Sequence, residues 1–175
     1  MECIPDFLGE GELEEVPNFF QEVLGDSFHC FGCSPNDANS LKGRFYSRKG
    51  ADTTTDTQVF GFFPPVGPQR TGFPHIVHGG VLSAVIDDVA YWTLFHNCRL
   101  LAVTTEMNVK YLLPCSDSTQ IVAVGQLDAT TVRPLQPGQV VAVQVEVYGE
   151  NSGKKVATAQ VKFFVMPKEK VGKVM

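Results

Sequence analysis

The most regular pattern in the chain lies between Leu82 and Thr93. Leu82, Val85, Ile86, Val89 and Thr93 recur at the i, i+3, i+4, i+7 spacing of a helix. The other side of that helix carries Ser83, Ala84, Asp87 and Ala90, which are small rather than charged. From Thr71 to Cys98 there is no Lys or Arg, and the only carboxylates are Asp87 and Asp88. A surface helix would present Lys and Glu there, so the pattern predicts a helix buried on most of its circumference. After Arg99 the period changes. Ala102–Leu113, Thr119–Thr131, Gln139–Gly149 and Lys155–Met166 are long, Val-rich and strand-like, with breaks at Pro114, Pro134–Gly138 and Asn151–Gly153.

Ahead of the helix, Leu41–Arg48 and Thr57–Phe63 read as two further strands. Between Phe63 and the helix, Pro64, Pro65, Pro68 and Pro74 remove backbone donors, and the stretch 64–74 is expected to be irregular. Residues 29–40, HCFGCSPNDANS, form a loop rich in turn residues. Residues 1–26 form an acidic lead-in in which Val16, Phe19, Phe20, Val23 and Leu24 stand at helical spacing. The sum is an α+β architecture, an antiparallel sheet wrapped on one long helix.

Composition narrows the class. With 175 residues, 43% apolar and only 19% charged, the chain has the material for one core and too few charges for a disordered body. So low a charge also leaves apolar surface to cover, which favours an oligomer. The net charge of −5 excludes a generally basic nucleic-acid footprint, and no apolar run approaches a membrane span. The charge is uneven. Residues 1–41 hold nine acids and no Lys or Arg, so the rest carries 14 basic against 10 acidic residues and can accept a phosphorylated ligand. The N-terminus has neither the basic and apolar regions of a signal peptide nor the Arg of a transit peptide. Five cysteines without a secretory address point to reduced thiols and a cytoplasmic setting.

The candidate chemistry stands at the start of the apolar helix. His78-Gly79-Gly80 precedes it, and Asp87 follows about two turns further in. The first N–H groups of a helix lack internal partners and lie at the positive end of its dipole, and glycines leave them open to a ligand. A developing oxyanion would be stabilised there. A carboxylate set among Ser and Ala is a natural general base or nucleophile. The plain alternative is a tight glycine turn and a polar surface Asp. Asp88 competes for the same role, since helical geometry alone does not choose between neighbours.

These motifs together resemble the hotdog-fold thioesterase superfamily. The residues that carry the resemblance are Ile76-Val-His-Gly-Gly80, six residues and then Asp87, followed by Thr104-Thr-Glu-Met-Asn-Val-Lys-Tyr-Leu-Leu-Pro114. Cys30-Phe-Gly-Cys33 through Asn36 to Leu41 resembles the superfamily's lead-in CFGCG-x-x-NP-x-GL. The branch it looks most like holds the phenylacetyl-CoA thioesterase-like and human thioesterase-superfamily-member proteins. The likeness spans residues 28–166, leaving an acidic lead-in over 1–27 and a tail over 167–175.

The resemblance implies a hotdog fold and hydrolysis of an acyl-CoA thioester to a free acid and coenzyme A. Asp87 matches the carboxylate that activates water or attacks the carbonyl. Gly79 matches the residue whose N–H polarises that carbonyl, with Gly80 and the helix dipole assisting. Thr104 matches the hydroxyl that holds the attacking group, and His78 shapes the loop or touches the thioester. The resemblance also implies a homodimer or dimer of dimers whose sites draw on both subunits, and no metal or redox cofactor beyond coenzyme A as part of the substrate. Two single positions and one short stretch depart from the family pattern. Gly72 stands where many relatives have Asn, His75 where many have Gly, and Asn36-Asp37-Ala38-Asn39-Ser40 replaces Asn-Pro-x-Gly.

Three rival readings remain: a helix–sheet domain with no ligand at all, an acyl-CoA-binding module without turnover, and a hotdog hydratase or dehydratase acting on enoyl-CoA. Relatives of the last kind pair a His with a carboxylate in motifs this chain lacks. Among basic residues that could meet coenzyme A phosphates (Arg70, Lys110, Arg133, Lys154, Lys155), Arg133 and Lys110 are the chosen candidates. Cys30-x-x-Cys33 reads first as ordinary thiols. Structural zinc would want a further pair of ligands, and a redox dithiol is the other option. His96, near the helix C-terminus, reads as a favourable cation.

Overall fold

The computed structural model describes residues 8–9, 11–51, 57–128, 131, 134–149 and 153–167. Their strands are β1 (Leu13–Glu15), β2 (Arg44–Arg48), β3 (Val59–Phe63), β4 (Thr71–Phe73), β5 (Ile76–Val77), β6 (Ala102–Tyr111), β7 (Ile121–Leu127), β8 (Val140–Gly149) and β9 (Lys154–Val165). Their helices are α1 (Phe19–Leu24) and α2 (Gly79–Cys98). Seven strands form one antiparallel sheet in the order β1-β2-β3-β7-β8-β9-β6. Alternation explains why they do so. On β8, Val141, Val143, Val145 and Val147 are buried, while Val140 and Gln144 are exposed.

The inner face of the sheet is covered by α2, which touches β3, β6, β7, β8 and β9. Two glycines let it come so close. A Cβ at Gly61 on β3 would stand 2.5 Å from Val89 Cγ2, and one at Gly125 on β7 would stand 2.0 Å from Thr93 Oγ1. Leu82, Val85, Ile86, Val89, Ala90 and Trp92 are buried beneath this contact, whereas Ser83, Ala84, Asp87 and Tyr91 remain half-buried. The apolar stripe is therefore sealed, and the small-residue face is only partly covered within one chain. None of the helices among the described residues is long and apolar enough to cross a membrane.

The lead-in is drawn onto this body. β1 pairs with β2, and Phe20 of α1 sits 5.2 Å from the Phe95 ring and 5.9 Å from Trp92. Trp92 is 2% exposed and stacks on Phe45 at 5.1 Å. Trp92→Ala is expected to cost about 3–5 kcal/mol through lost burial and the cavity it leaves, read as a lowered Tm or denaturant midpoint.

Two sequence expectations are corrected. The stretch 64–74 is not wholly irregular: Pro68–Arg70 makes a 3₁₀ turn, and β4 pairs with β5 across Pro74-His75. The prolines there occupy the turns, so Thr71 and Phe73 keep the donors the ladder needs. His96 is not a cation at the helix end. It is half-buried, and burial pushes its pKa below the ordinary value, which leaves the ring neutral near pH 7. The helix instead ends on Arg99, whose φ of 53° turns the chain and lets its N–H donate to the Phe95 carbonyl.

Candidate active site

α2 begins at Gly79 because His78 caps it. The His78 backbone is extended (φ −62°, ψ 136°), and its Nδ1 accepts the Gly80 N–H at 2.9 Å. Its carbonyl accepts from Val81 and Leu82 at 2.9 and 3.2 Å. Gly80 N–H, expected to assist in polarising a carbonyl, is thus already engaged in the cap. The Gly79 N–H has no partner among the described residues. Preceding the cap, His75 sits at φ 64°, in the left-handed region where glycine is at ease. His78 is itself fixed to the preceding turn by its N–H, which donates to the Arg70 carbonyl at 2.9 Å.

Gly79, Ser83 and Asp87 stand at successive i, i+4 positions, on one face of α2. That face looks at β6. Thr104 Oγ1 donates to Asp87 Oδ1 at 2.7 Å, Tyr111 Oη donates to the Gly79 carbonyl at 2.9 Å, and Ser83 Oγ lies 2.7 Å from Tyr111 Oη. A one-residue bulge in β6 makes this possible. The register with β9 shifts between Thr104 and Glu106, so Thr104 faces the helix and, beyond the bulge, so do Met107, Val109 and Tyr111. Without the extra residue the two ends of the strand could not both face α2.

Asp87 and Asp88 part company here. Successive helix residues point about 100° apart, and Asp88 turns away from β6 toward the loop of Cys30 and Cys33. Burial pushes the Asp88 carboxyl well above the usual carboxylate range, with further help from the neighbouring charges of Cys30 and Asp87.

At the N-terminal end of α2 a cavity of about 630 Å³ is walled by Phe73, Leu82, Tyr111, Leu112 and Leu113, with His78 and Gly79 at its edge. Asp87 does not line it. Ser83 and Tyr111 were not singled out by sequence reasoning. The signal was present, since Ser83 is one helical turn from Gly79 and Tyr111 lies in the strand-like segment Ala102–Leu113. Of the proposed phosphate contacts, Lys110 lies on the sheet face opposite α2, beside Asn108, Gln144 and Gln160. Within one chain it does not join Asp87. Arg70 is tied to the carbonyls of Asn39 and Ser40 at 2.8 and 3.2 Å, and Lys155 pairs with Glu146. Arg133 lies outside the described residues.

The family model of the thioesterase superfamily matches residues 75–131, from the turn before α2 to the segment after β7. Solved structures share the sheet wrapped on one helix. The PaaI protein of the Escherichia coli phenylacetic acid degradation operon superposes with a TM-score of 0.59 at 20% identity, over 75% of this chain and 86% of that one. The chain has the hotdog fold. A Streptococcus mutans protein bound to acetyl CoA (TM-score 0.55, 20% identity, 64% of this chain and 83% of that one) shares this hotdog. So does an acyl-CoA hydrolase of Staphylococcus aureus in complex with butyryl coenzyme A (TM-score 0.56, 21% identity, 66% of each chain). No curated protein sequence matches the chain. In this hotdog the central segment, similar to the thioesterase superfamily, is the part that carries Gly79, Asp87 and Thr104.

Proposed function

We propose that this hotdog chain is an acyl-CoA thioesterase acting as a homodimer, with each active site shared between two subunits. The observation that carries the reading is the Asp87–Thr104 hydrogen bond of 2.7 Å on the same α2 face as Gly79. Asp87 takes a proton from water, and the hydroxide adds to the thioester carbonyl carbon. Gly79 N–H and the positive end of α2 stabilise the oxyanion. The C–S bond then breaks, and coenzyme A leaves as a thiol after taking up the proton. Thr104 holds the Asp87 carboxylate so that its other oxygen is free for the water. The cavity beside Phe73, Leu112 and Leu113 receives the apolar acyl group.

Helix geometry favours the shared site. Gly79 and Asp87 are eight residues apart, roughly 12 Å along the axis at 1.5 Å per residue. One thioester carbonyl cannot meet both within a single chain. A second copy of α2 packed antiparallel on the half-covered face would bring Asp87 of one subunit to Gly79 of the other. β6 supports the same pairing. It is a ten-residue edge strand that exposes Val103, Met107 and Tyr111, and a long edge strand leaves a row of backbone donors and acceptors unpaired.

The test is release of free thiol from short-chain, long-chain and aryl acyl-CoAs, with mass measured by light scattering. Turnover by a dimeric or tetrameric species is expected. Tight binding of every acyl-CoA with no thiol released would replace the enzyme by a binding module.

A further inference from the structure

The loop that joins the lead-in to β2 holds a second cluster of reactive groups, away from the β6 face of α2. Cys30 Sγ and Cys33 Sγ stand 2.9 Å apart, and Asp88 Oδ1 and Oδ2 stand 3.8 and 3.9 Å from Cys30 Sγ. One oxygen of Asp88 and both sulfurs lie within 4.8 Å of one another. The arrangement is built into the fold. Gly32 lies so close to α2 that a Cβ there would stand 1.7 Å from Asp88 Oδ2. Backbone bonds from Leu41 N–H to the Phe31 carbonyl (2.7 Å) and from Gly43 N–H to the Gly32 carbonyl (2.8 Å) hold the loop against the start of β2.

From this geometry we infer that Cys30, Cys33 and Asp88 form a thiol–disulfide exchange site that reduces low-molecular-weight disulfides. Cys30 is the attacking sulfur. It is only half-buried, whereas Cys33 is 4% exposed. Cys33 donates to it from both its thiol and its N–H, the latter at 3.3 Å. Those donors hold the Cys30 thiol down at about 6, while the same neighbour and burial push Cys33 up. Among the described residues, the other ionisable groups that interact with the pair are on α2: Asp88, with Asp87 beyond it, and Tyr91. A half-buried thiolate backed by a more deeply buried thiol and a buried acid is the division of labour that exchange requires.

The chemistry balances. The Cys30 thiolate attacks one sulfur of a disulfide RS–SR, forming Cys30–S–S–R and breaking the old S–S bond. The departing RS⁻ takes the proton of Asp88. With the Cys30 charge gone, the Asp88 carboxylate accepts the proton of Cys33. Cys33 then attacks Cys30 Sγ and expels the second RS⁻, which takes that proton from Asp88. The products are a Cys30–Cys33 disulfide and two RSH, with two electrons passing from the dithiol to RS–SR. Zinc is the competing occupant of two thiols and a carboxylate. Two thiolates on one tetrahedral zinc, each at about 2.3 Å, stand roughly 3.7 Å apart, whereas these sulfurs stand 2.9 Å apart.

The experiment treats the full chain with oxidised glutathione, quenches with acid, and reads intact mass and peptide maps. Wild type should lose two hydrogens as a 30–33 disulfide and keep no glutathione. Cys33→Ser should trap one glutathione on Cys30, and Asp88→Asn should slow closure of the disulfide by about 10²-fold while leaving the first attack rapid. The alkylation rate of Cys30 should have its midpoint near pH 6 in wild type and rise toward an ordinary thiol value of about 8.5 in Cys33→Ala. Because the disulfide product and the alkylation midpoint near pH 6 are both read on wild type, a variant that fails to fold does not decide the matter. No reaction at Cys30, a lasting glutathione adduct on wild type, or stoichiometric zinc in native mass spectra of protein purified without chelator would overturn the inference.

Discussion

Asp87→Asn is expected to lower kcat/KM for acyl-CoA hydrolysis by about 10²–10⁴-fold, the span a positioned general base supplies. At 1.36 kcal/mol per decade this corresponds to about 3–5 kcal/mol of lost transition-state stabilisation. The amide keeps the size of the side chain and an oxygen to accept from Thr104 Oγ1, so the 2.7 Å contact and the β6 face should persist. What is lost is the capacity to take a proton from water. Circular dichroism and Tm should therefore match wild type while thiol release collapses. A change in KM with kcat intact would assign Asp87 to binding rather than chemistry, and full activity would remove it from the mechanism.

A second large effect is expected where sequence and backbone allow an unusually clean deletion. Gly79→Pro removes one N–H and little else. Proline is favoured at the first position of a helix, where the donor has no internal partner. The preceding residue must be extended, and His78 already is, at φ −62° and ψ 136°. A Cβ at Gly79 would meet Tyr111 at 3.4 Å, an ordinary contact. The fold should survive, and kcat should fall by about 10²–10³-fold, as for the loss of one oxyanion donor.

Combining the two variants tests the shared site. If each site takes Gly79 from one subunit and Asp87 from the other, a mixed dimer of Gly79→Pro and Asp87→Asn has one wholly intact site and one doubly defective site. After unfolding and refolding an equal mixture, half the dimers are mixed, and about a quarter of wild-type activity should return. Activity no higher than the average of the two parents would place both residues in one subunit's site and overturn the antiparallel pairing.

The long helix and the strands β2, β3 and β6–β9 were legible because each rests on a local period. The 3.6 spacing from Leu82 to Thr93 needs only a sheet beneath it, and the Val alternation of β8 and β9 needs only two faces of different polarity. The placement of Gly79 at the start of α2 and of Asp87 about two turns further in was legible too. Local pattern failed in the stretch 64–74, where prolines were read as breakers although they occupy the turns and free Thr71 and Phe73 for pairing. It also failed at His96, where charge was inferred from position along the helix while burial, a tertiary property, decided otherwise.

What the chain's order of residues determined by itself was the long helix with its small-residue face and six of the strands, β2, β3 and β6–β9, because periodicity and side-chain size act over a few residues. Which of two adjacent acids faces β6 and which faces the Cys30–Cys33 loop was left to tertiary structure. Asp87 and Asp88 are equivalent to any local rule. They differ because the bulge in β6 brings Thr104 against one side of the helix, and the Cys30–Cys33 loop, admitted by Gly32, closes on the other. The electrostatic consequences follow from those contacts, since desolvation and neighbouring charge depend on what is packed around a carboxylate and not on its place in the sequence.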